Sequence, residues 1–172
     1  MTQENLLDEA LEAWRYARTS LIAEAEGVPD DGYGFRPHPQ SRTLAELLVH
    51  VAESGCMMAG ELSRADGDFT RKPFEELVAE HTEGLVREGS PAEIRAELER
   101  TLNDGMERLR AAGEAQLLRP IRQFDGIEAS RLSWMYHGIA HEEYHRGQVA
   151  LYARLQGLVP VLTRAIHGSD AR

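Results

Sequence analysis

Four long stretches of this chain place apolar residues at every third or fourth position, and glycine and proline punctuation separates them. The first runs from about Glu4 to Glu26, carries Leu7, Leu11, Trp14, Arg18, Leu21 and Ile22 on one stripe, and ends at Gly27-Val28-Pro29. Thr43-Leu44-Ala45-Glu46 is a capping box that opens a second helix reaching about Leu62. Ser90-Pro91-Ala92-Glu93 joins a serine cap, a proline at the first helical position and a glutamate at the third; the helix it opens reaches Ala112 and stops at Gly113. The fourth begins near Ser130 and ends at Gly157, where a left-handed cap residue belongs.

Four amphipathic helices with no sheet to cover can bury their stripes only against one another, so the predicted fold is an all-α four-helix bundle. Only Ile121 to Phe124 reads as a strand, and it is too short to build a sheet. The connection between the second and third long helices is the longer one. It holds the breaker ADGDFTRKP and a short helix over about Phe74 to Glu83, so an up-down-down-up bundle and a simple up-down bundle are both open. No repeat or linker interrupts the chain, which predicts one domain over residues 1–168 and a disordered-like tail at 169–172.

Charge and cysteine usage narrow the function. A net charge of −10 leaves little surface for tracking phosphates and speaks against nucleic acid as a partner. No apolar run approaches the ~20 residues of a membrane span. The first residues, MTQENLLDEALEAW, lack the basic and then apolar order of a secretory signal. With Cys56 as the sole cysteine no internal disulfide is possible, and a reducing cytoplasm is the simplest compartment.

The chemistry concentrates on the fourth helix. On a wheel of ~100° per residue with Trp134 at zero, His141 falls at ~340°, His145 at ~20°, Tyr152 at ~0°, Gln148 at ~320°, and His137 and Leu155 at ~300°. The histidines thus share the face that holds Trp134, Tyr152 and Leu155, the face expected to be buried. An isolated inward histidine is ordinarily a hydrogen-bonded core residue, but two at i and i+4 stack one turn apart and can converge on one metal ion. His137 lies two turns from His145, a rise of ~12 Å, so one ion cannot take all three.

A third ligand must therefore come from elsewhere: His38, His50, His81, His167 or a carboxylate. His50 is the choice, because it flanks the apolar stripe of the second helix beside Ser54 and Met57, whereas the others fall in loops, in the weak short helix or near the end. His137, Gln148 and Trp134 are expected to line the pocket or support the ligands.

His141 to His145 reads HEEYH and matches the H-E-x-x-H signature of zinc proteases. Those enzymes take a third ligand downstream. No glutamate follows Glu143 here, and Gln148 and Leu151 stand where the metzincin spacing needs glycine and histidine. No strand set exists to align a peptide, so a zincin protease is excluded.

LAELLVHVAES around His50 and the string HGIAHEEYHRGQVALYARLQG together resemble the DinB-like superfamily, which includes YfiT-like metal hydrolases and bacterial thiol S-transferases. The most specific piece is H-x3-H-x3-H-R-G-Q. The resemblance implies a four-helix bundle whose divalent metal is held by one histidine of the second helix, matching His50, and two of the last long helix, matching His141 and His145. It also implies homodimers.

Three neutral imidazoles leave a coordination position open, the arrangement of a catalytic site. Zinc and nickel both suit imidazole. The expected function is a metal-dependent enzyme that transfers a low-molecular-weight thiol, of the bacillithiol or mycothiol type, to a small electrophile. A hydrolase using metal-activated water is the nearest alternative, with Glu142, Glu53 and Tyr144 as candidate proton carriers. A bundle that binds metal for stability, or that only pairs with a partner, is the alternative of another class.

Overall fold

The computed structural model describes residues 5–168. The expected helix start at Glu4 and the tail 169–172 lie outside the described residues. Four long helices dominate: α1 (Leu6–Glu26), α2 (Leu44–Ser63), α4 (Pro91–Ala112) and α6 (Arg131–Leu155). Shorter elements fill the connections: α3 (Phe74–His81), α5 (Glu114–Leu117), an antiparallel ribbon of β1 (Pro120–Arg122) and β2 (Glu128–Ser130), and α7 (Val161–His167).

The ends are set by local chemistry. Asn5 accepts from the Asp8 amide at α1, Thr43 and Glu46 form a capping box at α2, Ser90 and Glu93 form another at α4, and Ser130 caps α6. Gly113 and Gly157 close α4 and α6 with φ of 81° and 79°, a conformation that costs an L side chain strain.

Contacts between named residues give the helix directions. Trp14 and Arg18 of α1 reach Glu142 in mid-α6, and Glu24 near the end of α1 meets Val161 just beyond α6, so these two helices run parallel. On α2, His50 meets His141 and Arg131 caps the carbonyl of Leu62, so α2 runs against α6. Leu98 of α4 lies near Arg18, and Glu114 past its end reaches the amide of Leu6, so α4 runs against α1. The bundle is up-down-down-up. Around it, α1 packs mainly on α6 and α4, and α2 on α4 and α6. The longer crossover, carrying α3 against α2, allows two successive long helices to run the same way.

Two apolar clusters fill the interior. One gathers Trp14, Met58, Phe69, Met106 and Met135; the other gathers Leu21, Leu48, Val51, Leu98 and Val149. Between them lies a polar layer. Arg18 is fully buried, and its guanidinium bonds the Glu142 carboxylate at 2.6 and 2.8 Å, the Leu98 carbonyl at 2.8 Å, Thr101 Oγ1 at 3.1 Å and the Val51 carbonyl at 3.3 Å. One side chain of α1 thereby ties the other three long helices. Gly55 makes room for it, since a Cβ there would stand 2.6 Å from Arg18 Nη2.

Three features differ from the expectation. The segment at Ile121 does form a small hairpin, because residues 120–122 find a partner in 128–130 and Gly126, at φ 81°, closes the turn. The short helix ends at His81 instead of Glu83, with Thr82 capping. Helix α7 follows Pro160; the buried Glu24 carboxylate accepts from the amides of Val161 and Leu162 at 2.8 and 2.9 Å, an N-terminal cap supplied by α1. Among the described residues no helix is long and apolar enough to cross a membrane.

Candidate metal centre

The polar layer continues from Arg18 and Glu142 to the seam between α2 and α6, where three histidines meet. His50 Nε2 lies 3.2 Å from His141 Nε2, and His145 Nε2 lies 3.0 Å from the same atom. Donors bound to one ion at ~2.1 Å and subtending 90–110° stand ~3.0–3.4 Å apart, so these two separations match those of nitrogens on one divalent ion, and all three histidines offer a nitrogen within 4.8 Å of the others. The donor set is all imidazole, which suits zinc, nickel, copper or iron.

The proton inventory fits too. His145 Nδ1 donates to Gln148 Oε1 at 2.7 Å, which leaves its Nε2 lone pair aimed at the other two rings. Burial pushes His50 down from 6.5 to about 4, with the Arg42 charge and His145 adding to the effect. Burial, helped by the neighbouring imidazoles, lowers His141 to about 3. His145 is lowered by burial against the opposing pull of Gln148. Neutral imidazoles are the form that binds metal.

The helical wheel misplaced the buried face of α6. Its buried residues are Arg131, Met135, Glu142, His145, Val149, Tyr152 and Ala153, a stripe centred ~60° from Trp134. Leu155 is 55% exposed, and Trp134 is only partly buried. The reason is Arg18: with a buried guanidinium to meet, Glu142 turns into the core at 2% exposure, His145 stays buried beside it, and His141 comes to lie half-buried at the rim of the bundle.

The remaining candidates separate. His137 is exposed and stacks on Trp134 at 4.6 Å, outside the ligand set. Trp134 belongs to an aromatic cluster with Phe69 and Phe124. Both Glu142 oxygens are engaged, by Arg18 and by Trp14 Nε1 at 2.6 Å, so this carboxylate anchors α6 and is a poor proton carrier. Glu53 pairs with Arg87 at 2.8 Å. Tyr144 is 64% exposed, with its ring 5.2 Å from that of His145. His38 sits exposed in its loop, and His167 ends α7.

His81 joins Glu61 and Glu80 in a second cluster with ligand-like spacing. Arg71 and His81 both contact the buried Glu61 carboxylate, and Arg64, Arg71 and Lys72 surround Glu80, so these acids already have cations and the cluster pins the crossover to α2.

Sequence reasoning missed two contributors. Arg18 stood in the apolar stripe of the first helix, and a charged residue at a core position signals a buried partner. Arg42 carried no such signal; only the fold brings it beside the histidines.

One groove reaches His145 and another reaches His50. One, about 510 Å³, is bordered by His145, Tyr144, Gln148, Arg36 and Arg42. The other, about 350 Å³, is bordered by His50, Glu53, Phe74, Val78, Arg87 and again Arg42.

A profile of the DinB superfamily matches residues 13–149. Among solved structures, a DinB-like protein from Bacillus subtilis is 20% identical with a TM-score of 0.67, over 87% of this chain and 92% of that one. YfiT from Bacillus subtilis, described as a probable metal-dependent hydrolase with an unusual four-helix bundle topology, is 15% identical with a TM-score of 0.68, over 88% of each chain. The mycothiol-dependent maleylpyruvate isomerase is 14% identical with a TM-score of 0.61, over 83% of this chain and 60% of its own. Likeness at these identities is a likeness of fold. No protein of curated function matches the sequence.

Proposed function

The chain belongs to the DinB superfamily, and from that premise we propose that it is a metal-dependent enzyme transferring a low-molecular-weight thiol to a small electrophile. The observation that carries the reading is the convergence of His50, His141 and His145, with the His50 and His145 Nε2 atoms 3.2 and 3.0 Å from His141 Nε2, between one groove that reaches His145 and another that reaches His50. Two grooves suit two reactants.

Bound by the three imidazoles, a divalent ion, zinc or nickel, would supply the Lewis acidity that keeps a thiol in its thiolate form at neutral pH. The protein's own groups do the rest. Gln148 fixes the tautomer of His145, and the Arg18–Glu142 pair fixes the rotation of α6 that brings His141 and His145 toward His50. In the transfer the S–H bond breaks and its proton leaves to solvent. An S–C bond forms at the electrophilic carbon, and the displaced electron pair goes to a leaving group or to a conjugated oxygen that takes up a proton.

A thiol is favoured over water as the nucleophile because of the carboxylates. Hydrolysis calls for a proton carrier at the leaving group, yet Glu142 is held by Arg18 and Trp14 and Glu53 by Arg87, which leaves the exposed Tyr144 as the remaining candidate. Thiols ionise at ~8.5 and need less help. A reducing cytoplasm, in which Cys56 and the thiol substrate stay reduced, is the compartment this reading assigns.

The test begins with elemental analysis of protein purified without a polyhistidine tag, followed by a panel of cysteine, bacillithiol and mycothiol against small electrophiles. One bound divalent ion and metal-dependent thioether formation are expected. His50→Ala combined with His141→Ala should lose the ion and the activity while keeping its helix content. Transfer that persists in metal-free protein would refute the proposal; unfolding on chelation would assign the ion a structural role instead.

A further inference from the structure

Arg42 precedes the N-cap of α2 and borders both grooves at the histidine seam. Its backbone is held in place: the Tyr152 hydroxyl donates to its carbonyl at 3.1 Å, and the Tyr152 ring meets Phe35 edge-on at 5.9 Å. Two neighbouring arginines are matched. Arg36 takes both Glu46 oxygens at 2.9 Å, and Arg87 takes Glu53 at 2.8 Å. Among the described residues Arg42 has no such ion pair, although the chain carries 29 acidic residues against 19 basic ones. Among the described residues one guanidinium is therefore left with a free fork of donors beside the triad, and in the second groove Glu75 is an acid without an ion pair.

The second groove supplies the complementary feature. Phe74, Val78 and Ala79 give it an apolar wall beside His50, and Phe74 leads to Phe124 at 5.6 Å. An apolar body on that wall would bring a terminal anionic group to Arg42. We propose that the electrophile is a carboxylate: Arg42 binds its carboxyl group, and its apolar body lies against Phe74 and Val78. This rests on the thiol-transfer reading for the word electrophile alone. One uncompensated positive charge suits a single negative charge, and the planar guanidinium matches a carboxylate bidentately. A doubly charged phosphate would bring a second negative charge that Arg42 alone does not offset, with Glu75 bordering the same groove.

Calorimetric titration of the zinc-loaded full chain with phenylacetate, phenylacetamide and inorganic phosphate tests the assignment. The wild type should bind phenylacetate roughly 10- to 100-fold more tightly than phenylacetamide, the value of a charge-assisted hydrogen bond. Arg42→Gln should erase that preference with zinc content unchanged, Arg42→Lys should keep part of it, and Phe74→Ala should weaken both probes alike. An undiminished carboxylate preference in Arg42→Gln would mean that the anion sits on the metal and would overturn the proposal, as would tighter binding of phosphate. If Arg42→Gln loses the preference in a protein that turns over no thiol, the role of Arg42 stands and the transfer reading falls.

Discussion

Replacing Arg18 by methionine probes the feature that joins the fold to the site. The guanidinium is fully buried, and its partner Glu142 is 2% exposed. Without Arg18 the carboxylate keeps only the Trp14 indole at 2.6 Å and becomes a buried charge with one donor. Removing one partner of a buried pair costs about 3–5 kcal/mol, a large share of the ~5–15 kcal/mol that typically holds a domain together. The Leu98 and Val51 carbonyls lie in helices and lose less. At an m value of about 2 kcal/mol per molar, the urea midpoint of chelator-treated protein should fall by about 2 M, read by far-ultraviolet circular dichroism. The double variant Arg18→Met with Glu142→Leu should recover to within about 1 kcal/mol of wild type, because apolar replacement of both partners leaves no unpaired charge. An Arg18→Met cost under about 1 kcal/mol, or a double variant no more stable than the single one, would refute the argument that the buried charge pair holds the bundle's polar layer.

Two further outcomes follow from the histidine geometry. His50 and His141 titrate at about 4 and about 3 in the fold against 6.5 ordinarily, so below pH 6.5 the unfolded chain binds more protons than the folded one. Stability of the metal-free protein should therefore fall as pH drops from 6.5 toward 4, and His50→Gln with His141→Gln should flatten that slope in urea titrations at stepped pH; an unchanged slope would contradict it. Gln148→Leu removes the acceptor of His145 Nδ1–H, which should weaken metal binding by roughly 10- to 100-fold with little change in urea midpoint, measured by chelator competition.

Much of this architecture was legible in the residues. The capping boxes at Thr43 and Ser90, Pro91 at the first position of α4, and the stops at Gly113 and Gly157 are local signals, because a helix end is satisfied within one turn of itself. The ligand candidates were legible as well: His141 and His145 by their i,i+4 spacing, and His50 by its place beside the apolar stripe of α2. What failed was the orientation of α6. Its wheel put the histidines on the face of Trp134, Tyr152 and Leu155; Tyr152 is buried, yet Trp134 joins the aromatic cluster around Phe69 and Phe124, Leu155 faces outward, and the core takes Glu142 as well. A glutamate reads as a surface residue until its arginine is known, and that arginine is 124 positions away. Helix α7 escaped for the same reason, since its N-terminal amides are capped by Glu24.

The sequence by itself determined that this chain makes four long helices, where they begin and end, and that two histidines stand one turn apart, because helix periodicity and capping are short-range. Only the tertiary structure decided what those histidines face. The Arg18–Glu142 pair turns α6 so that His141 and His145 meet His50, the crossover brings Phe74 to the groove beside His50 and against Phe124 of the hairpin, and among the described residues Arg42 is left beside the seam without an ion pair. Each of these depends on where distant charges and rings meet in space, and no local pattern encodes that.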